Sequence, residues 1–162
     1  MRKSLLAVAL LAVAAALLVP ALGSGGGDGR KVLEAKVLAP VVPPYTGSAN
    51  PIRGLNGGGV PWRIADGEVD LRADGRLKVE VEGLVLVATG ANPVAQFKAI
   101  VSCQTIGPGG TAAVTNVSTA PVTATTTGDA EIDETIALPS PCFAPIVFVA
   151  SAGGAWFAVT GR

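Results

Sequence analysis

Beyond residue 30 the chain alternates between apolar and polar positions. In the segment Lys31 to Leu38, Leu33, Ala35 and Val37 fall on one side and Glu34 and Lys36 on the other, the period-two pattern of a half-buried strand. The clearest alternation lies between Arg63 and Val87. Val69 and Leu71 interleave with Glu68, Asp70 and Arg72, and after Ala73-Asp74-Gly75 the residues Leu77, Val79 and Val81 interleave with Lys78, Glu80 and Glu82. A two-residue Asp-Gly loop would set Leu71 opposite Lys78 on one face. A three-residue loop with Gly75 in the left-handed region pairs Leu71 with Leu77, Val69 with Val79 and Asp70 with Lys78, and is the register that keeps apolar residues together. It also sets Glu68 opposite Glu80, a like-charge pair that must face solvent.

Further along, Ala95, Phe97, Ala99, Val101 and Cys103 share one stripe. Residues 111–126 are rich in Thr, Val and Ala and split into two strands at Pro121. Ala130, Ile132, Ile136 and Leu138 define a face into which Glu134 intrudes. Ile146 to Ala150 is continuously apolar, as in a strand buried on both sides, and Ala155 to Thr160 supplies a last strand. Short strands throughout, without a helical period, predict an all-β domain over residues 31–162: an antiparallel β-sandwich, immunoglobulin-like or jelly-roll-like. The stretch from Ala39 to Pro61 breaks the pattern. It is rich in Pro and Gly, reads as a long irregular connection, and is too long merely to join neighbouring strands.

The N-terminus has a different logic. Arg2 and Lys3 precede an unbroken Leu/Ala/Val run from Leu5 to Val19, followed by Pro20 and the small-residue stretch Ala21-Leu22-Gly23-Ser24. This order is that of a secretory signal peptide over residues 1–23, cleaved after Gly23 or, alternatively, after Ala21. The run to Leu22 spans about 18 residues, the lower limit for crossing a bilayer, so an uncleaved anchor is the competing reading. Residues 24–30 form a flexible Gly-rich spacer. After cleavage no membrane segment is expected.

Composition narrows the chemistry. Among 162 residues, 12 Lys and Arg balance 12 Asp and Glu, which argues against a nucleic-acid partner. The absence of His removes Ser-His-Asp and Cys-His catalysis and His-ligated metal sites. The sequence contains no Gly-x-Ser-x-Gly and, after the signal peptide, no Ser-x-x-Lys, and neither Gly57-Gly58-Gly59 nor Gly107-Pro108-Gly109-Gly110 leads into a Lys-Ser/Thr pair. No cofactor is implied. The two cysteines, Cys103 and Cys142, are expected to pair in an exported protein, closing a loop of about 40 residues; their spacing does not suit a redox-active C-x-x-C pair.

Three groups of residues remain as candidates. Asp66, Glu68, Asp70 and Asp74, with Asp129, Glu131, Asp133 and Glu134, suit either a solvated charged face, oxygen ligation of calcium or carboxylate catalysis. Glu134 stands apart because its parity points inward: it marks either a functional carboxylate or a strand end that returns it to water. Tyr45, Arg53, Trp62 and Arg63, in or beside the long connection, form either a recognition patch for a glycan or protein or, for the aromatics, caps on the core. Asn116-Val117-Ser118 matches a glycosylation acceptor.

Val42-Pro43-Pro44 soon after a first strand, then Gly67 leading through Asp74-Gly75-x-Leu77-x-Val79-x-Val81-x-Gly83-Leu84, resembles the opening of CHRD-type secreted β domains. The resemblance implies an extracellular β-sandwich. The His residues typical of that family are missing, so it transfers no functional residue. The expected function is therefore a non-catalytic exported domain that binds a protein or glycan, or serves structurally, at the envelope or outside the cell. The alternative is a small secreted hydrolase with Glu134 as its acid or base.

Overall fold

The hairpin forms in the register chosen by its apolar positions. Strands β4 (Asp66–Arg72) and β5 (Arg76–Glu82) pair antiparallel, with Leu71 opposite Leu77, Val69 opposite Val79 and Glu68 opposite Glu80. Gly75 closes the loop at φ 89°. Strand β1 (Lys31–Ala35) adds to β4 and β10 (Ala130–Thr135) adds to β5, giving a four-stranded sheet in the order β1-β4-β5-β10. The computed structural model describes residues 29–161, so the expected signal peptide and nearly all of the Gly-rich spacer lie outside the described residues.

The first predicted strand divides in two. It bends at Lys36 and Val37, and β2 (Leu38–Pro40) joins the other sheet. The bend resets the side-chain parity. Ala35 stays buried but Val37 is 69% exposed, and Leu38 takes the inward place, packed so closely on Gly67 that any Cβ there would strike it.

The second sheet has six strands. Its main path is β2, β12 (Trp156–Thr160), β11 (Phe143–Ser151), β7 (Gln96–Ile106) and β8 (Ala112–Ser118), with β9 (Val122–Thr123) pairing the start of β7. A small ribbon of β3 (Trp62–Arg63) and β6 (Val85–Leu86) stands beside the sheets. All pairings between strands are antiparallel, and the two larger sheets pack face to face as a β-sandwich. Leu71, Leu77, Val79 and Ile132 meet Phe97, Val101, Val147 and Val149 in the core. Trp62 closes one end of it, stacked on Phe157 with ring centroids 4.1 Å apart.

The long connection explains why the six-stranded sheet can be apolar on both faces. Phe148, Ala150, Ile100 and Trp156 share its outer face by register, yet none is more than 2% exposed. Residues 41–61 lie over them. Ile52 and Leu55 pack against the core cluster, the Trp156 indole donates to the Leu55 carbonyl at 3.2 Å, and Gly57 bridges to Trp156. The connection is thus an ordered third layer across part of the sheet, secured through backbone hydrogen bonds and a few aliphatic anchors.

Candidate functional site

The acidic hairpin face is a lattice of ion pairs. Lys31 reaches Asp70 at 2.7 Å and Glu34 at 3.0 Å, Lys36 reaches Glu68 at 2.7 Å, and Lys78 bridges Glu80 and Glu131. Lys36 and Lys78 between them neutralise the opposed Glu68 and Glu80, which is how the fold tolerates that pair. Hydrogen bonds to these carboxylates hold the ammonium groups of Lys31, Lys36 and Lys78 above their ordinary pKa, and the Lys31 bond holds Asp70 below its own. The faces of these side chains border a shallow open depression on the sheet. Among the described residues no group of three or more His, Cys, Asp or Glu is placed to hold a metal ion.

Asp129 does a different task. One oxygen accepts from the Gly83 amide at 2.8 Å and the other from the hydroxyls of Thr127 and Thr125, at 2.6 and 3.1 Å. Foremost the Thr127 hydroxyl, then the Gly83 amide, keeps this carboxyl below its ordinary pKa. The side chain therefore buckles the β9–β10 turn onto the end of the β4–β5 hairpin.

Glu134 lies on β10, an edge strand, and is half-buried. Its Oε2 accepts the Ala120 amide at 2.9 Å, reaching from one sheet to the β8–β9 connection of the other. The inward parity is real, and the carboxylate is used to satisfy a backbone donor across the open side of the sandwich.

The loop candidates separate. Trp62 is 3% exposed, so it is withdrawn from any recognition patch: its stacking on Phe157 makes it a core cap. Arg53 is a clamp on the outer face of the six-stranded sheet. Its guanidinium donates to the Ser102 carbonyl at 2.7 Å and the Ala144 carbonyl at 2.8 Å, tying the loop to β7 and β11. Both Arg53 (φ 49°) and Ala144 (φ 42°) occupy the left-handed region, so this fork joins two strained backbone positions. Beside it, the predicted disulfide joins Cys103 to Cys142 across 39 positions of sequence.

Tyr45 and Arg63 remain exposed. The segments that carry them are laced together: the Gly47 amide donates to Gly58, the Trp62 amide to Val41, and the Val87 amide to Pro61. Val42, Val60 and Val87, on these same segments, are 44%, 51% and 55% exposed. Like Tyr45, they are large apolar side chains in solvent on segments that backbone hydrogen bonds tie together, and Arg63 follows Trp62 on one of those segments. Sequence reading missed the three valines because each sits in irregular backbone, where no periodicity says which way a side chain points.

No family model, curated protein or solved structure matches the chain.

Proposed function

We propose that this protein is an exported, non-catalytic β domain that recognises a glycan or protein through the rim formed by Val42, Tyr45, Val60 and Val87, with Arg63 at its border. The observation that carries this reading is the exposure of these four large apolar side chains on segments hydrogen-bonded to one another, the usual make-up of a contact surface. Export is supported by the N-terminal charged and apolar order and by the disulfide, which suits an oxidising compartment. No helix among the described residues is long and apolar enough to cross a membrane. The likeness of the hairpin to CHRD-type domains points to the same extracellular setting and assigns no residue.

The test is capture of isolated envelope fractions and of an immobilised glycan panel by the purified protein. Tyr45→Ala with Val60→Ser is expected to weaken capture about tenfold, a loss of roughly 1.4 kcal/mol, with the melting temperature unchanged. Capture equal to the parent overturns the rim. The hydrolase alternative has its own readout: Glu134→Gln abolishing hydrolysis of a glycan would replace binding by catalysis. N-terminal sequencing of the released protein is expected to begin at Ser24 or Leu22, and retention of Met1 to Val19 overturns cleavage.

A further inference from the structure

The two larger sheets expose four outer edges, and three are blocked. β1 carries Lys31 and Glu34, and β10 carries Glu131, Asp133 and Glu134. β2 is three residues long, ends in Pro40, and continues into Val41, whose N–H and C=O are already bonded to Phe157 and Trp62. Charge, shortness and proline are the devices that keep an edge from pairing with another chain. On the fourth edge, β9 is a two-residue strand preceded by Pro121, but β8 has no such protection. It is seven residues long, Ala-Ala-Val-Thr-Asn-Val-Ser, and regular in register from Ala112 to Ser118. No charged residue occurs between Lys98 and Asp129.

The hydrogen bonding of β8 can be read from its ends. The Gly107 amide donates to the Thr111 carbonyl at 2.7 Å, and the Thr119 amide donates to the Ala99 carbonyl at 3.0 Å. Odd-numbered residues of this strand therefore bond to β7. By the alternation of an antiparallel ladder, Ala112, Val114, Asn116 and Ser118 turn their N–H and C=O groups to the open side.

We infer that β8 is a self-association edge, pairing antiparallel with β8 of a second copy about a two-fold axis at Thr115. Only that axis engages the strand over its whole length: Ala112 meets Ser118 of the second copy, Val114 meets Asn116, and Thr115 meets Thr115. Each outward N–H and C=O then gains a partner. An isologous contact sets residues near the axis against their own kind, so it tolerates no charge there, and β8 has none. Thr115 falls at a close, non-hydrogen-bonded pair, where two threonines pack well, and the two Val114 side chains lie diagonally across the axis within reach of one another. Because the remaining edges are blocked, pairing closes at a dimer and does not propagate into a fibre.

Sedimentation velocity of the purified mature protein over a wide concentration range tests this. A dimer is expected to build up with concentration, and the amides of Val114 and Asn116 are expected to exchange more slowly as it does. Val114→Pro deletes an N–H that the ladder turns away from β7 to the open side, and Val114→Lys places a charge beside the axis on a side chain 48% exposed. Each is expected to raise the dissociation constant at least about tenfold without lowering the melting temperature. If the proline variant fails to fold, the lysine variant carries the test. A parent that stays monomeric at every concentration overturns the inference. So does a dimer equally tight in Val114→Lys, which would have to use another surface.

Discussion

At the scale of single residues, the side chains with the most chemical potential are the ones holding the fold. Arg53 replaces water on two backbone carbonyls and fastens a loop to two strands. Arg53→Ala is expected to cost about 2 kcal/mol, the order of a charge-assisted hydrogen bond at a partly buried site, measured by urea denaturation. Arg53→Lys should recover less than half of that, because an ammonium cannot reproduce the fork. The carboxylates set the response to pH. Asp70, Asp74 and Asp129 are held below their ordinary value of 3.8, so folding is favoured by their ionised forms. Their contribution is complete above that value and disappears as pH falls through the lowered folded values. Melting temperature is therefore expected to hold from about pH 5 upward and drop below about pH 4, with a shallower acid loss in Asp129→Asn. For Lys31, Lys36 and Lys78, held above 10.5, the sign reverses: their contribution is present below that value and lost in strong alkali. Both sets of groups are largely in solvent, so salt should weaken these effects.

At the scale of elements, period-two patterning worked wherever one face was wet and the other dry. The hairpin register was legible for that reason, whereas the break at Pro121 was legible because proline cannot donate to a ladder. Along β7 the outer face is as buried as the inner at Ile100 and Ser102, so only the inner stripe from Phe97 to Cys103 could be read. Patterning failed where the chain changed sheets, because a bend at Lys36 and Val37 shifts parity without any change in composition. Trp62 offered two readings in sequence, and only packing against Phe157 chose between them. The role of Arg53 was illegible, since its partners are carbonyls of Ser102 and Ala144, and backbone carbonyls leave no trace in a side-chain pattern. Gly75 tests the hairpin turn. A Cβ at this position would sit 2.0 Å from the Ile136 carbonyl oxygen, in backbone at φ +89°. Gly75→Ala is expected to destabilise by about 1–3 kcal/mol, read as a lower urea midpoint. A variant as stable as the parent would show that the turn can rearrange.

At the scale of the molecule, charge is segregated. Among the described residues, the strands of the six-stranded sheet carry a single charged side chain, Lys98, whereas the four-stranded sheet wears the ion-pair lattice on its outer face. The six-stranded sheet has instead its own loop on one part of its outer face and, beyond it, Ile106, Val114 and Phe143 in solvent. The disulfide sits in this sheet. Closing a 39-residue separation restricts the unfolded chain, and Cys103→Ala with Cys142→Ala is expected to cost about 2–5 kcal/mol by calorimetry or urea titration. Thiol titration of the unfolded, unreduced parent should find no free thiol.

The loop over the outer face also dictates a sequence of events in time. β2 pairs with β12, Gly57 bridges to Trp156, and Trp62 stacks on Phe157, so parts from the first half of the chain rest on its last strand. A chain emerging from its N-terminus can close the β4–β5 hairpin at once, because those contacts are local. Leu38 to Pro40, Gly57 and Trp62 must wait for their partners on the last strand until Trp156 to Thr160 arrive, with Arg53 the earlier tether to β7 and β11. Long-range contacts of this kind slow folding. A chain stopped before Trp156 is accordingly expected to leave residues 41–61 open to protease, with cleavage there reporting that the last strand is the latch.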